Sequence, residues 1–98
     1  MTRDVVWSRD ALEDVKAHLA FIAADNPVAA RRVADALRDA AAALGLAPTG
    51  LPGRVAGVYE KSVAKVPYVI AYTIGWEMLA VVRVIHTACD WPQGQWPR

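Results

Sequence analysis

Hydrophobic residues recur at helical spacing in the first half of the chain and at strand spacing in the second half. In the first helix they lie three or four residues apart, at Leu12, Val15, Leu19 and Ile22, which places them on one face. The inner face of a second helix, over residues 28–44, is formed in the same way by Ala30, Val33, Leu37, Ala41 and Leu44. Because the connection between the helices is short, we expect an antiparallel hairpin over residues 8–45.

Capping residues indicate where the two helices begin and end. Ser8 or Asp10 offers a side-chain oxygen to the free amides of the first turn. The first helix is expected to stop before Pro27, because proline cannot continue a helix but suits the first turn of the next one, with Asn26 as its cap. Gly45 is expected to end the second helix.

Four strands are predicted around this hairpin. The first lies within residues 1–7, and a loop without a strand is expected over residues 46–53. A meander of three strands then fills residues 54–86, at 58–64, Tyr68–Ile74 and Met78–His86. The last strand is apolar on both faces, so we expect it in the centre of the sheet. The prediction is therefore one α+β domain of order β-α-α-β-β-β, with the helix hairpin on a mainly antiparallel four-stranded sheet and a tail at 87–98.

Composition and charge narrow the possible classes of protein. The 98 residues carry a net charge of +1, which lacks the basic excess typical of nucleic-acid-binding proteins. No apolar run approaches the roughly 20 residues that cross a membrane, and no apolar segment of a signal peptide follows Met1, so a cytoplasmic location is expected. Two histidines and one cysteine give no set of metal ligands, and neither a metal nor another cofactor is expected.

The chemically most unusual residues lie near the C-terminus. Arg83 interrupts the apolar last strand, and His86 stands at its end. An imidazole, with an ordinary pKa of about 6.5, can exchange protons near neutral pH, and an arginine can stabilise a phosphate. Residues an odd number of positions apart point to opposite faces of a strand, so the two converge only at a bulge or a strand end. The alternatives are that Arg83 pairs with Glu60 or Asp90 and that His86 is a structural hydrogen-bonding residue.

Several segments along the chain resemble the RelE/ParE superfamily of bacterial type II toxin–antitoxin toxins. They are Asp25-Asn26-Pro27 with Ala29-Ala30-Arg31, Pro52-Gly53-Arg54 with Gly57, Pro67-Tyr68-Val69-Ile70-Ala71-Tyr72, and Arg83-Val84-Ile85-His86 with Trp91-Pro92. The resemblance implies the same fold and a hetero-oligomer with a cognate ParD- or RelB-like antitoxin, whose C-terminal segment wraps the toxin. It also implies one of two activities: RelE-like members cleave mRNA on the ribosome, and ParE-like members poison DNA gyrase by binding it.

Three functions remain open within this resemblance. A ParE-like toxin that binds gyrase is favoured, because the catalytic set is incomplete and the net charge is near zero. In a RelE-like endonuclease, His86 would act with Arg83 and Arg54. In a degenerate member only antitoxin binding would remain, because Cys89 stands where the family often carries a basic residue.

The resemblance also suggests contact residues. The target or a phosphate would be contacted by Lys61, Lys65, Arg83 and Trp91. An antitoxin helix would lie in an apolar groove, and its strand would extend the sheet; the contacts proposed for it are Leu12, Leu19, Phe21, Tyr59 and Lys61. His18, between Val15 and Ile22 on the first helix, is expected at the surface or its boundary.

Overall fold

The computed structural model describes residues 2–87, in which two helices pack on one face of a five-stranded sheet. In chain order the elements are β1 (Asp4–Trp7), α1 (Arg9–Asp25), α2 (Pro27–Leu46), β2 (Leu51–Pro52), β3 (Tyr59–Ser62), β4 (Tyr68–Ile74) and β5 (Met78–His86). The strands lie in the order β1-β5-β4-β3-β2, with β1 parallel to β5 and the other pairs antiparallel. The α+β class is therefore confirmed, whereas β5 lies between β1 and β4 and the central strand of the sheet is β4. Within these residues no helix is long and apolar enough to cross a bilayer.

The helix starts follow the predicted caps, whereas the end of α2 does not. Ser8 Oγ accepts a hydrogen bond from the amide of Ala11 at 3.0 Å, and Asn26 Oδ1 accepts one from Ala29 at 3.0 Å. The prediction that Gly45 ends α2 was wrong, because the helix continues to Leu46. A Cβ at Gly45 would lie 2.8 Å from both the Arg3 carbonyl oxygen and Val5 Cγ2. This glycine therefore allows α2 to approach β1 closely.

The segment expected to be a loop without a strand contains the short outer strand β2. Its two residues pair with β3, Leu51 opposite Glu60 and Pro52 opposite Tyr59. Proline is tolerated there because β2 is an edge strand, which needs amide donors on one side only. The sheet therefore has five strands where four were predicted, and β3 is shorter than the predicted strand at 58–64.

The core lies between α2 and the face of the sheet that we call the helix face. Every residue of the predicted inner face of α2 is buried, and the sheet contributes Tyr68, Ile70, Tyr72, Leu79, Val81 and Val84. The predicted stripe of α1 is less enclosed: Leu12 is 54% exposed, whereas Ala11 is completely buried. Since β5 is the strand that α1 contacts most, the flank of α1 lies beside the edge of that strand.

Candidate functional site

The strand β5 extends beyond its parallel partner β1, and side chains of the α1 segment occupy the edge that remains. β1 pairs only with the first four residues of β5. Beyond that point Ser8 Oγ donates to the carbonyl of Val82 at 3.0 Å, and Asp14 Oδ2 accepts from the amide of Val84 at 2.9 Å. His18 Nε2 donates to the carbonyl of Val84 at 3.0 Å. These side chains satisfy backbone groups that would otherwise form an open sheet edge.

Asp14 also holds the guanidinium of Arg83. Arg83 Nε donates to Asp14 Oδ2 at 2.7 Å, and Nη2 donates to Oδ1 at 2.8 Å. The two side chains are only 12% and 15% exposed. The hydrogen bonds that Arg83 donates to Asp14 raise the pKa of Arg83 above its ordinary value, although burial acts in the opposite direction. Of the partners expected for Arg83, Glu60 instead binds Arg54, and Asp90 lies outside the described residues.

Arg83 and His86 lie on opposite faces of the sheet. The pairing of β4 with β5 shifts between Tyr72, which is opposite Val81, and Ala71, which is opposite Arg83. This bulge precedes Arg83, so normal alternation resumes before His86, which pairs with Tyr68. Tyr68 belongs to the helix face, and Ala71 therefore points to the opposite face, which we call the open face.

His86 belongs to a cluster of three rings on the helix face, with Tyr68 at its centre. The ring centroid of Tyr68 lies 5.2 Å from that of His86 and 4.8 Å from that of His18. Tyr68 is only 4% exposed, and this burial raises the pKa of its hydroxyl above the ordinary value. The half-buried His18 and His86 thus pack against the same tyrosine ring, an arrangement that the sequence analysis did not anticipate.

Arg54 is held by a carboxylate of β3. Glu60 Oε2 accepts hydrogen bonds from Arg54 Nε and from its backbone amide, both at 3.0 Å. Burial raises the pKa of Glu60, but the hydrogen bonds and charge of Arg54 outweigh it, and the pKa lies below its ordinary value. Glu60 is opposite Ala71, on the open face. Arg54 is therefore bound to the open face, whereas His86 lies on the helix face.

The two lysines proposed as target contacts lie around the end of β3. Lys61 is half-buried in a cleft of about 310 Å³ between α2 and β3, whose walls include Ala40, Ala43 and Ser62. Lys65 is exposed in the turn to β4, at a φ of 71°. A residue other than glycine in this left-handed region carries some strain. Trp91, the fourth proposed target contact, lies outside the described residues.

The proposed antitoxin contacts divide into exposed and packed residues. Leu12 lines an apolar cleft of about 140 Å³ together with Trp7, and Phe21 is 83% exposed on α1. Leu19 is half-buried against the core. Tyr59 stacks on Tyr72 with ring centroids 5.8 Å apart.

Sequence reasoning missed Asp14 and overlooked the role of His18. Their four-residue separation places both side chains on the same side of α1. That side borders the apolar stripe formed by Val15 and Ile22. A carboxylate and an imidazole next to a core-facing stripe are a signal for contacts with buried backbone, although the sequence does not identify the strand that receives them.

The chain is similar to known toxins over most of its length. Residues 5–91 match the model of the ParE toxin of the type II toxin–antitoxin system parDE. A candidate toxin of Sinorhizobium fredii, Y4kP, is 35% identical over 88 residues, covering 89% of this chain and 91% of that protein. Toxin RelE2 of Caulobacter vibrioides is 36% identical over 85 residues, covering 86% and 94%. The family model thus carries a ParE name, whereas one of the two relatives carries a RelE name.

A solved structure has the same fold. The match is a chain of the chromosomal ParDE toxin–antitoxin system from P. aeruginosa, with a TM-score of 0.79. It covers 87% of this chain and 96% of that chain, at 17% sequence identity. An identity this low supports similarity of fold alone.

Proposed function

Because this chain belongs to the ParE toxin family of type II toxin–antitoxin systems, we propose that it stops growth by binding its target, DNA gyrase. The observation that supports binding over RNA cleavage is that both candidate catalytic arginines are paired with carboxylates. Asp14 compensates the charge of Arg83 and Glu60 that of Arg54, and the strand positions of Arg83 and Glu60 are on the face opposite that of His86. Catalytic stabilisation of a phosphate requires cations that point at the developing charge.

The antitoxin is proposed to use two separate features of the toxin. The apolar cleft beside Leu12 and Trp7 suits apolar side chains of a helix. The outer edge of β3 suits a strand, because β2 pairs only with Tyr59 and Glu60, and β3 continues past the end of β2. Lys61 lies on this edge of β3, whereas Phe21, nine positions after Leu12, lies on the opposite side of α1 from the cleft.

Induction of the chain in cells without its antitoxin tests the mode of action. We expect growth to stop with induction of the DNA damage response, while protein synthesis continues at first. Coexpression of the antitoxin should restore growth. A prompt block of translation without DNA damage would refute gyrase as the target.

The second candidate function is RNA cleavage, and the cluster of His18, Tyr68 and His86 is the observation that favours it. Imidazoles can act as general base and general acid, and both of these imidazoles contact the ring of Tyr68. This function predicts ribosome-dependent mRNA cuts by the wild type that disappear in His86→Ala while antitoxin binding persists. Cleavage that continues unchanged in the variant would remove His86 from the mechanism.

A further inference from the structure

An exposed apolar patch lies at the β4–β5 turn on the open face of the sheet. Trp76 is 88% exposed, Met78 49% and Val6 41%. Val6 is opposite Ala80, and Ala80 is opposite Thr73, so these residues share the face that the helices leave uncovered. A cavity of about 410 Å³ adjoins the indole, lined by Thr73, Gly75, Trp76, Glu77, Met78 and Ala80. We call Val6, Trp76 and Met78 the Trp76 patch.

The turn that carries Trp76 is held from two sides. The amide of Gly75 donates to the carbonyl of Met78 at 2.7 Å, which closes a turn of two residues, Trp76 and Glu77. Arg3 Nε donates to the Gly75 carbonyl at 3.0 Å, and the amide of Asp4 donates to the Glu77 carbonyl at 3.0 Å. A side chain presented by a fixed backbone loses less conformational entropy on binding.

Carboxylates border the Trp76 patch. Asp4 and Glu77 are both exposed, and within residues 2–87 neither forms an ion pair. Arg3 is the neighbouring cation, and its Nε is bound to the turn. The border therefore carries a local excess of negative charge on a chain whose net charge is +1. A partner complementary to this surface combines an apolar pocket with lysine or arginine at its margin.

We propose that the Trp76 patch is the surface through which the toxin binds its target, a protein with an apolar pocket for the indole bordered by basic residues. This inference rests on the proposed function in one respect: the toxin must act by binding. Tryptophan is enriched among the residues that dominate binding energies. The patch lies on the open face near the β4–β5 turn. The surfaces proposed for the antitoxin lie elsewhere, at the apolar cleft beside Leu12 and Trp7 and at the outer edge of β3.

The variant Trp76→Ala tests this surface. Trp76 is exposed and its φ is not positive, so alanine should be accepted without strain and the fold should persist. We expect about a 30-fold higher toxin concentration for the same inhibition of the target, as for loss of a dominant interface residue. Growth arrest should weaken in parallel, and affinity for the antitoxin should stay unchanged. Glu77→Lys should weaken inhibition in the same direction, by repelling the basic margin.

The control is Leu46→Ala, at the end of α2, where an apolar side chain is 68% exposed but lies outside every proposed contact. It should inhibit as the wild type does. The proposal is overturned if Trp76→Ala stops growth as effectively as the wild type. It is also overturned if that variant loses antitoxin affinity, because the patch would then be an antitoxin contact. A wild type that stops growth without affecting gyrase would refute only the proposed target, since the same variants would still be compared by growth arrest.

Discussion

Asp14 connects α1 to β5 by contacting both a side chain and the backbone of that strand. Its carboxylate receives the guanidinium of Arg83 and the amide of Val84. Removing it would leave a largely buried charge and a backbone donor without this acceptor. A residue that sequence reasoning did not single out therefore fixes the position of one that it did.

Replacement of this carboxylate should lower stability strongly. For Asp14→Leu we expect the free energy of unfolding to fall by about 2–4 kcal/mol, because the substitution breaks a largely buried ion pair and removes the acceptor of the Val84 amide. Denaturant titration gives the value. Asp39→Leu, at an acidic residue that is 80% exposed, is the control and should change it little. Equal effects of the two substitutions would contradict the role given to Asp14.

At Gly45, helix propensity and packing have opposite effects on the stability of a larger residue. Alanine is favoured over glycine by about 1 kcal/mol within a helix, yet a Cβ here would lie 2.8 Å from the backbone oxygen of Arg3. We expect the steric overlap of the added Cβ to outweigh the gain in helix propensity, so that Gly45→Ala lowers the free energy of unfolding by about 1–3 kcal/mol. A thermal or denaturant transition measures it, and a stabilised variant would mean that α2 and β1 pack less closely than described.

At the scale of elements, Arg54 and Glu60 join the segment after β2 to β3, and this link should depend on pH. The pKa of Glu60 in the folded protein lies below the ordinary value of 4.5. Its ionisation therefore stabilises the fold above that value, and the contribution is lost as the pH falls through the folded pKa. We expect the wild type to lose more stability than Glu60→Gln between neutral and acidic pH. If the wild type and Glu60→Gln had the same dependence of stability on pH, the Arg54–Glu60 pair would not stabilise the fold as described.

The apolar cleft beside Leu12 and Trp7 should tolerate a charge in the free toxin but not in the complex with the antitoxin. Leu12 is 54% exposed at this cleft, so Leu12→Glu should fold normally. We expect it to weaken antitoxin binding at least tenfold, about 1.4 kcal/mol, because a carboxylate would be buried against an apolar helix face. Titration calorimetry measures the affinity. Val28→Glu, at a residue 64% exposed elsewhere, is the control, and equal losses would argue against the cleft.

The elements that sequence predicted well are those with a strong local pattern. β4 and β5 have the predicted bounds, and every residue of the predicted inner face of α2 is buried. β2 was missed because Leu51 and Pro52 are exposed and have no alternation to reveal them. Gly45 was misjudged because the reason for it, contact with Arg3 and Val5, comes from a segment about forty residues away.

For the whole molecule, the two faces of the sheet separate the candidate functions. The sequence identified Arg83 and His86, and strand alternation already warned that they diverge. Only the structure places the bulge before Arg83 and brings His18 and His86 to the same ring of Tyr68. Such tertiary placement depends on strand register and helix position, which local sequence patterns do not encode.

The central claim is that this toxin poisons gyrase by binding, and a supercoiling assay with purified proteins tests it most directly. Gyrase, relaxed plasmid and ATP would be incubated with increasing amounts of the toxin, with and without its antitoxin. We expect the toxin to inhibit supercoiling or to stabilise cleaved DNA, and the antitoxin to reverse this effect. No effect of the folded toxin at micromolar concentration would contradict the claim.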